Sequence, residues 1–117
     1  MLRRKNKYQD GLRSFGAKDY KTAHDLLIAF AEEGDSDAQA IIGNIYQLGL
    51  GGIAVDEERA VEWYSRAAIQ GNGVASNNLG TLAFLRGDRE KAEKWYNLAR
   101  SQGFRHSPLP DIDNDPV

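Results

Sequence analysis

Three segments of sixteen residues repeat along this chain, and their self-similarity constrains the fold more than any other feature of the sequence. Each segment begins with Asp, carries Ala at its fifth place and ends with Gly. The segments read DYKTAHDLLIAFAEEG (19–34), DEERAVEWYSRAAIQG (56–71) and DREKAEKWYNLARSQG (88–103). Because a short repeated unit buries its apolar face only against a neighbour, we expect a stack of small interfaces rather than one central core.

Each segment has the sequence pattern of an α-helix. The opening Asp accepts hydrogen bonds from the free N–H groups of a first turn, and the closing Gly takes the left-handed conformation that ends a last turn. Apolar residues of the second segment recur at spacings of three and four, which places them on one stripe: Ala60, Trp63, Tyr64, Ala67 and Ala68. The pattern therefore predicts one amphipathic helix in each segment.

A second helix is predicted upstream of each segment, marked by Gly11, Gly43 and Gly80. We expect each of these glycines to lie opposite the fifth-place Ala of the following helix, because two small residues let helix backbones approach closely. The middle repeat is longer between its helices, and the glycine-rich stretch 49–55 absorbs the extra residues. Ser36 with Gln39 forms a capping-box pattern that predicts the start of the middle repeat's first helix.

These residues resemble the SEL-like repeats of the tetratricopeptide superfamily. The middle repeat carries the most specific matches, at Ala38, Ile42, Gly43, Tyr46, Gly49, Gly51, Asp56, Ala60, Trp63, Tyr64, Ala67, Ala68 and Gly71. The first repeat departs most, with Leu26 and Leu27 in place of Trp-Tyr. The resemblance implies an all-α fold, a right-handed α-solenoid of three helix-turn-helix repeats with six antiparallel helices. The repeats are expected at about 4–34, 35–71 and 72–103 of a 1–103 domain, before an extended tail at 104–117.

The two ends of the predicted stack carry polar residues where inner repeats are apolar. Val61 and Ala68 are replaced by Glu93 and Arg100 at the equivalent positions of the last repeat, and Ala38 and Ile42 by Asn6 and Asp10 at those of the first. This pattern favours a whole, capped unit, although ordinary variation at marginal positions would give the same residues. In the tail, we expect Phe104, Leu109 and Ile112 to lie against the last repeat, the alternative being a disordered tail.

Side chains that commonly catalyse reactions or bind metal ions are scarce in this chain. The chain has no cysteine and two histidines, His24 and His106, and a net charge of −2 that gives no general attraction to nucleic acid or anionic membrane. His24 is expected to be a surface or half-buried residue that does not face Asp25. The turn at 49–52 lacks the Lys-Ser or Lys-Thr of a phosphate loop. We therefore expect a protein that is not an enzyme and holds neither metal nor cofactor.

The resemblance implies that the first helices of the repeats line a concave groove. The residues it places there are Tyr8, Leu12, Phe15, Asn44, Gln47, Leu48, Asn77, Thr81, Phe84 and Leu85. Asn44, Gln47, Asn77 and Thr81 are the expected hydrogen-bonding residues, and Phe15 and Phe84 the apolar anchors, unless the two aromatic residues only pack between helices.

These residues favour a module that binds a protein or peptide segment, as an adaptor, scaffold or immunity-type inhibitor of a bacterial partner. The alternative is a self-assembling structural protein that uses its solenoid ends or its tail. We expect no nucleic-acid or membrane partner, and a monomer or weak homo-oligomer. The basic start is not followed by the apolar run of a signal peptide, which favours the cytoplasm, or the periplasm if a leader was removed.

Overall fold

Six α-helices follow one another along the part of the chain that the structure describes, as the sequence predicts. The computed structural model describes residues 2–104, with the side chains of residue 4 and of residues 6–104. The helices are α1 (Leu2–Gly16), α2 (Tyr20–Glu32), α3 (Ser36–Leu48), α4 (Glu57–Ile69), α5 (Gly73–Leu85) and α6 (Arg89–Ser101), with a short 3₁₀ turn at Leu50–Gly52. Each helix packs on the next in chain order, and the described residues contain no strand. The all-α solenoid class is confirmed.

The Asp and Gly residues that delimit the repeated segments act as the sequence predicts. Asp19, Asp56 and Asp88 each cap a helix, and their side chains accept from the N–H three residues later at 3.4, 3.1 and 3.0 Å. The three closing glycines follow α2, α4 and α6 with φ of +109°, +96° and +97°, at Gly34, Gly71 and Gly103. Helix boundaries in this chain are therefore set by local capping chemistry.

The predicted capping box of α3 is wrong by one residue. Asp35, not Ser36, is the cap, and its Oδ1 accepts from the N–H of Ala38 at 2.9 Å. Gln39 is buried and turns away from the helix start, because its amide bonds the preceding repeat: Nε2 donates to the carbonyl of Ala31 at 3.0 Å. The predicted capping box does not form because the Gln39 side chain is used at the junction.

Both junctions between repeats contain a partly buried glutamine network. At the first, Gln39 bonds the Ala31 carbonyl and accepts from Gln70 Nε2 at 2.9 Å. At the second, Gln102 Nε2 bonds the equivalent carbonyl, that of Ala68, at 3.1 Å, and its Oε1 accepts from Ser76 Oγ at 2.6 Å. The glutamine that reaches the carbonyl thus lies on the first helix at one junction and after the second helix at the other. Each network supplies a side-chain donor to a carbonyl in the last turn of a helix, beside the backbone N–H that this carbonyl already accepts from.

The closest neighbours of the repeated glycines of α1, α3 and α5 are large side chains rather than the predicted alanines. A Cβ built on Gly43 would first meet Tyr64, at 2.7 Å from Cδ1, and one built on Gly80 would first meet Tyr96, at 2.8 Å. In the first repeat, the corresponding contact of Gly11 is Leu27, at 2.6 Å. The glycine therefore makes room for the large side chain at the ninth place of the following repeated segment, while the fifth-place alanines are also buried in the core.

The residues at the first end of the stack are exposed as the repeat comparison predicts, whereas at the last end Glu93 is half-buried like its equivalent Val61. Asn6 and Asp10 are exposed, whereas Ala38 and Ile42 are fully buried. Phe104 is half-buried and lies against the start of α5, where it approaches Gly73. The other tail residues of the prediction, Leu109 and Ile112, lie outside the described residues, as does His106.

Candidate functional site

The clearest polar cluster surrounds the hydroxyl of Tyr64, a fully buried residue of α4. This hydroxyl donates to Oε1 of Gln47 at 2.6 Å. Burial raises the pKa of Tyr64 to about 12, while side-chain hydrogen bonds of Asn44 and Asn78 act in the opposite direction. Three neutral amide side chains thus converge on one buried phenol.

The third repeat has a smaller version of this cluster. The hydroxyls of Thr81 and Tyr96 lie 3.0 Å apart, and Thr81 Oγ1 also lies 3.2 Å from the carbonyl oxygen of Asn77, to which it donates. The Thr81 hydroxyl has one proton, which it donates to the Asn77 carbonyl, so the Tyr96 hydroxyl donates to Thr81 Oγ1. The two tyrosines occupy the same place in α4 and α6, so the arrangement recurs with the repeat.

An apolar depression adjoins the polar cluster at the last turns of α3 and α5. It has a volume of about 330 Å³ and is lined by Gln47, Leu48, Val55, Glu57, Leu82, Leu85 and Arg86. Leu48, Val55 and Leu85 are 56%, 64% and 71% exposed, which is unusual for aliphatic side chains that lie together. At its edge Arg86 Nε donates to Glu57 Oε1 at 2.8 Å. We call the depression and the polar cluster together the groove face: Asn44, Gln47, Leu48, Val55, Asn78, Thr81 and Leu85.

The structure brings half of the sequence-predicted groove residues onto this face. Asn44, Gln47, Leu48, Thr81 and Leu85 lie on it, and Phe84 beside it is 43% exposed. The first-repeat residues are placed differently. The Tyr8 hydroxyl donates to Asp35 at 3.0 Å and its ring meets Phe30 edge-on, while Leu12 and Phe15 are half-buried against the first core. These three residues hold repeats 1 and 2 together.

Asn77 differs from its predicted role. It is 7% exposed and its Oδ1 has no hydrogen-bond partner among the described residues, whereas its neighbour Asn78 reaches the Tyr64 hydroxyl. Adjacent side chains of a helix point about 100° apart. Asn78 therefore points to the groove face, whereas Asn77 points to a different side of α5. Asn78 and Val55 were missed by sequence reasoning. The sequence could have indicated Asn78 only through its position next to Asn77, and it gave no reason to select Val55.

His24 also departs from expectation. Its Nδ1 lies 3.1 Å from Asp25 Oδ1, so the prediction that these neighbours do not face each other is wrong: their side chains bend toward one another although their Cβ atoms diverge. Hydrogen bonds from His24, then from Lys21, hold the pKa of Asp25 below its usual range. The His24 Nε2 lies 3.5 Å from the Tyr46 hydroxyl, to which Arg59 donates. This network joins α2, α3 and α4 on the surface.

Within residues 2–104, no three His, Cys, Asp or Glu side chains come close enough to hold a metal ion. No helix in that range combines the length and apolarity needed to cross a bilayer. A larger depression of about 410 Å³ lies between α4 and α6 around Trp95, with Val61, Leu82 and Lys91 among its lining residues. It lacks a cluster of amides like the one around Tyr64 and is an alternative binding surface to the groove face.

Comparison with known proteins identifies the repeat. The Sel1 repeat matches residues 8–35, 36–72 and 74–104. The chain is 37% identical over 75 residues to chitin synthase regulatory factor 4 of Schizosaccharomyces pombe, covering 64% of this chain and 12% of that protein. It is 34% identical over 100 residues to the Sel1-repeat-containing protein YjcO of Escherichia coli, covering 76% of this chain and 43% of that protein. The chain therefore spans less than half the length of either relative. Three matched repeats over most of the sequence show that the chain belongs to the Sel1 repeat family.

Proposed function

We propose that this chain is a non-enzymatic adaptor that binds a short, uncharged and extended segment of a partner protein on the groove face. The observation that carries the proposal is the convergence of Asn44, Gln47 and Asn78 on the buried Tyr64 hydroxyl, beside exposed leucines. Sel1 repeats are generally modules of protein–protein interaction, and the related yeast protein is named a regulatory factor.

The amides suit a peptide main chain because each carries both a donor and an acceptor. A peptide bond needs one of each, and an Asn or Gln side chain supplies both without the desolvation cost of a charge. The 2.6 Å bond from Tyr64 fixes the orientation of the Gln47 amide, so its N–H₂ group is held ready for a ligand. A side chain that is already fixed loses less conformational entropy on binding.

The depression supplies an anchor site for one apolar side chain of the same segment. Leu48 and Leu85 form its exposed walls, and Leu82, 8% exposed, contributes to its floor. Covering the walls removes apolar surface from water, at about 25 cal/mol per Å². The Glu57–Arg86 ion pair stands at the edge and neutralises both charges, which favours an aliphatic rather than a charged occupant.

A random-peptide display selection on the immobilised protein tests the proposal. We expect enriched peptides to carry an aliphatic anchor within an uncharged stretch. Calorimetry with a synthetic copy then compares Leu85→Asp with Ile69→Asp. Leu85 ends α5 in the depression and is 71% exposed, whereas Ile69 ends α4 outside it and is 87% exposed, so the two variants are matched in position and exposure. A loss of affinity of about tenfold or more is expected for Leu85→Asp alone. Equal effects of both variants would place the site elsewhere.

A further inference from the structure

The depression of about 410 Å³ around Trp95, called the Trp95 depression from here on, lies where the second and third repeats meet. Residues of α4, α5 and α6 and of the turn before α6 line it. Because the sequence repeats, the helix positions on its wall have equivalents where the first and second repeats meet. The first junction therefore shows how the same space is filled elsewhere in the chain.

The helix pairs of the second and third repeats are closed by the same backbone hydrogen bond. The N–H of Asp56 donates to the carbonyl of Tyr46 at 2.9 Å, and the N–H of Asp88 donates to that of Ala83 at 2.9 Å. Each of these Asp residues then caps the next helix through its side chain. Tyr46 and Ala83 are therefore equivalent in structure as well as in sequence.

At the first junction, the ring of Tyr46 fills the space between α2 and α4. His24 meets this ring edge-on, with ring centroids 5.9 Å apart, and Cζ of Arg59 lies 5.5 Å from the ring centroid. Arg59 also donates to the Tyr46 hydroxyl at 3.3 Å. One side chain of α2 and one of α4 thus hold the ring between them.

At the second junction, the corresponding wall is present but the ring is not. The equivalents of His24, Tyr46 and Arg59 all line the Trp95 depression: Val61, Ala83 and Lys91. Alanine in place of tyrosine leaves the position of a phenol ring unfilled. An apolar cavity of about 150 Å³ already holds a benzene ring. The volume of about 410 Å³ therefore has room for the whole side chain of a tyrosine.

The charges of the wall favour an aromatic occupant. Arg86 pairs with Glu57 at 2.8 Å, and Asp88 caps α6. Lys91 is exposed and forms no ion pair with the side chains that the structure describes. A lysine ammonium is attracted to the face of an aromatic ring and donates hydrogen bonds to a phenol oxygen. The half-buried indole of Trp95 adds an aromatic surface, against which a second ring packs favourably.

We propose that the Trp95 depression receives a tyrosine side chain of a partner protein, in the space that Tyr46 fills at the first junction. Lys91 then contacts the ring and its hydroxyl, as the arginine of the first junction does. The site adjoins the groove face, since Leu82 and Arg86 line both depressions, but it uses none of the groove-face amides. The proposal therefore stands whether or not the groove binds a peptide.

A titration of the full chain with p-cresol, the isolated side chain of tyrosine, tests the site. 4-Methylcyclohexanol, its saturated counterpart of similar size, is the control ligand. In the isotope-labelled protein, p-cresol should shift the indole N–H signal of Trp95 and the methyl signals of Val61. The indole signal of Trp63 and the side-chain amide signals of Asn44 and Asn78 should stay in place.

We expect p-cresol to bind at least about threefold more tightly than 4-methylcyclohexanol, because the saturated ring has no π-face for Lys91. Equal affinities would overturn the aromatic occupant. Unmoved signals of Trp95 and Val61 would overturn the site itself.

A substitution that fills the depression from within tests its shape. Ala83→Tyr gives α5 the tyrosine that α3 carries, so it should weaken p-cresol binding at least about tenfold without lowering Tm. Ala29→Tyr, on an exposed alanine of α2, is the matched control and should bind p-cresol as the parent does. A lower Tm of Ala83→Tyr, undiminished binding by it, or an equal loss in Ala29→Tyr would overturn the proposal.

Lys91→Met tests the cation without filling the depression. The substitution should lower the affinity for p-cresol about threefold and leave that for 4-methylcyclohexanol unchanged. Equal effects on the two ligands, or no effect on either, would show that Lys91 does not recognise the ring and would overturn the tyrosine.

Discussion

The ring of Tyr64 lies directly over Gly43, and a Cβ built on this glycine would stand 2.7 Å from Cδ1 and 2.8 Å from Cε1 of the tyrosine. The ring fills the space that a side chain on α3 would occupy. Its hydroxyl thereby reaches Gln47, four residues further along α3, at 2.6 Å. One close contact thus fixes the packing of a helix pair and also positions the polar centre of the groove face.

Gly43→Ala is expected to destabilise the fold by about 1–3 kcal/mol, because the new methyl group overlaps the Tyr64 ring. Gly16→Ala is the control: it also lies in a helix, and a Cβ there meets nothing within 4 Å. That substitution should be neutral or stabilise by up to about 1 kcal/mol. Urea unfolding measures both. Equal stability of the two variants would contradict the contact.

Gln39→Leu should cost about 1 kcal/mol, since it removes the buried hydrogen bond from Gln39 Nε2 to the Ala31 carbonyl, which keeps the Gly34 N–H as its other donor. Gln9→Leu changes an exposed glutamine of α1 and should stay within about 0.5 kcal/mol of the parent. Thermal unfolding of both variants checks this. A Gln39 variant as stable as the Gln9 variant would mean that the network contributes nothing.

The free energy of unfolding should fall at alkaline pH because the buried Tyr64 phenol then ionises. Burial raises its pKa from an ordinary value of 10.0 to about 12, so the folded protein holds the phenol proton more tightly than the unfolded chain does. This contribution is fully present below pH 10 and is lost as the pH rises through about 12, at a cost of about 2–3 kcal/mol. Urea midpoints across this range should fall less steeply for Tyr64→Phe. The slope should not vanish, because the pKa of Tyr8 is also raised to about 12, by burial and by Asp35. If the urea midpoint of Tyr64→Phe fell with pH as steeply as that of the parent, the Tyr64 phenol would not be a cause of the alkaline loss of stability.

Phe15 and Phe84 occupy equivalent places in α1 and α5 but should respond differently to truncation. Phe15 packs edge-on against Tyr20, with ring centroids 5.5 Å apart, and joins the first core, so Phe15→Ala should cost about 2–4 kcal/mol. Phe84 is 43% exposed, and Phe84→Ala should cost less than about 1 kcal/mol. Urea unfolding of the two variants measures both losses of stability. Similar losses would show that Phe84 is also a core residue.

Local chemistry explains why so much of the fold is predictable from the sequence. Asp19 and Gly34 mark the limits of α2 through capping and a positive φ, which depend on a few neighbouring residues. Contacts between helices are harder to predict. The tightest contact of Gly43 is with Tyr64 rather than Ala60, because it depends on how two helices are rotated about their axes.

The groove face is only partly predictable for a related reason. Apolar residues lie on several sides of α5, so its sequence gives little sign of which face is turned to the groove. Choosing between Asn77 and Asn78 requires the rotation of that helix, which packing against α4 and α6 determines. Val55 reaches the depression through the irregular turn after α3, whose path is set by three glycines with positive φ, Gly49, Gly51 and Gly52.

Chemical-shift mapping with a display-selected peptide is the most direct test of binding at the groove face. Titrating this peptide into the isotope-labelled protein should shift the side-chain amide signals of Asn44, Gln47 and Asn78 and the methyl signals of Leu48 and Leu85. The signals of Val61, Lys91 and Trp95 around the other depression should stay in place. Shifts confined to the Trp95 depression, with the groove-face amides unmoved, would contradict the account.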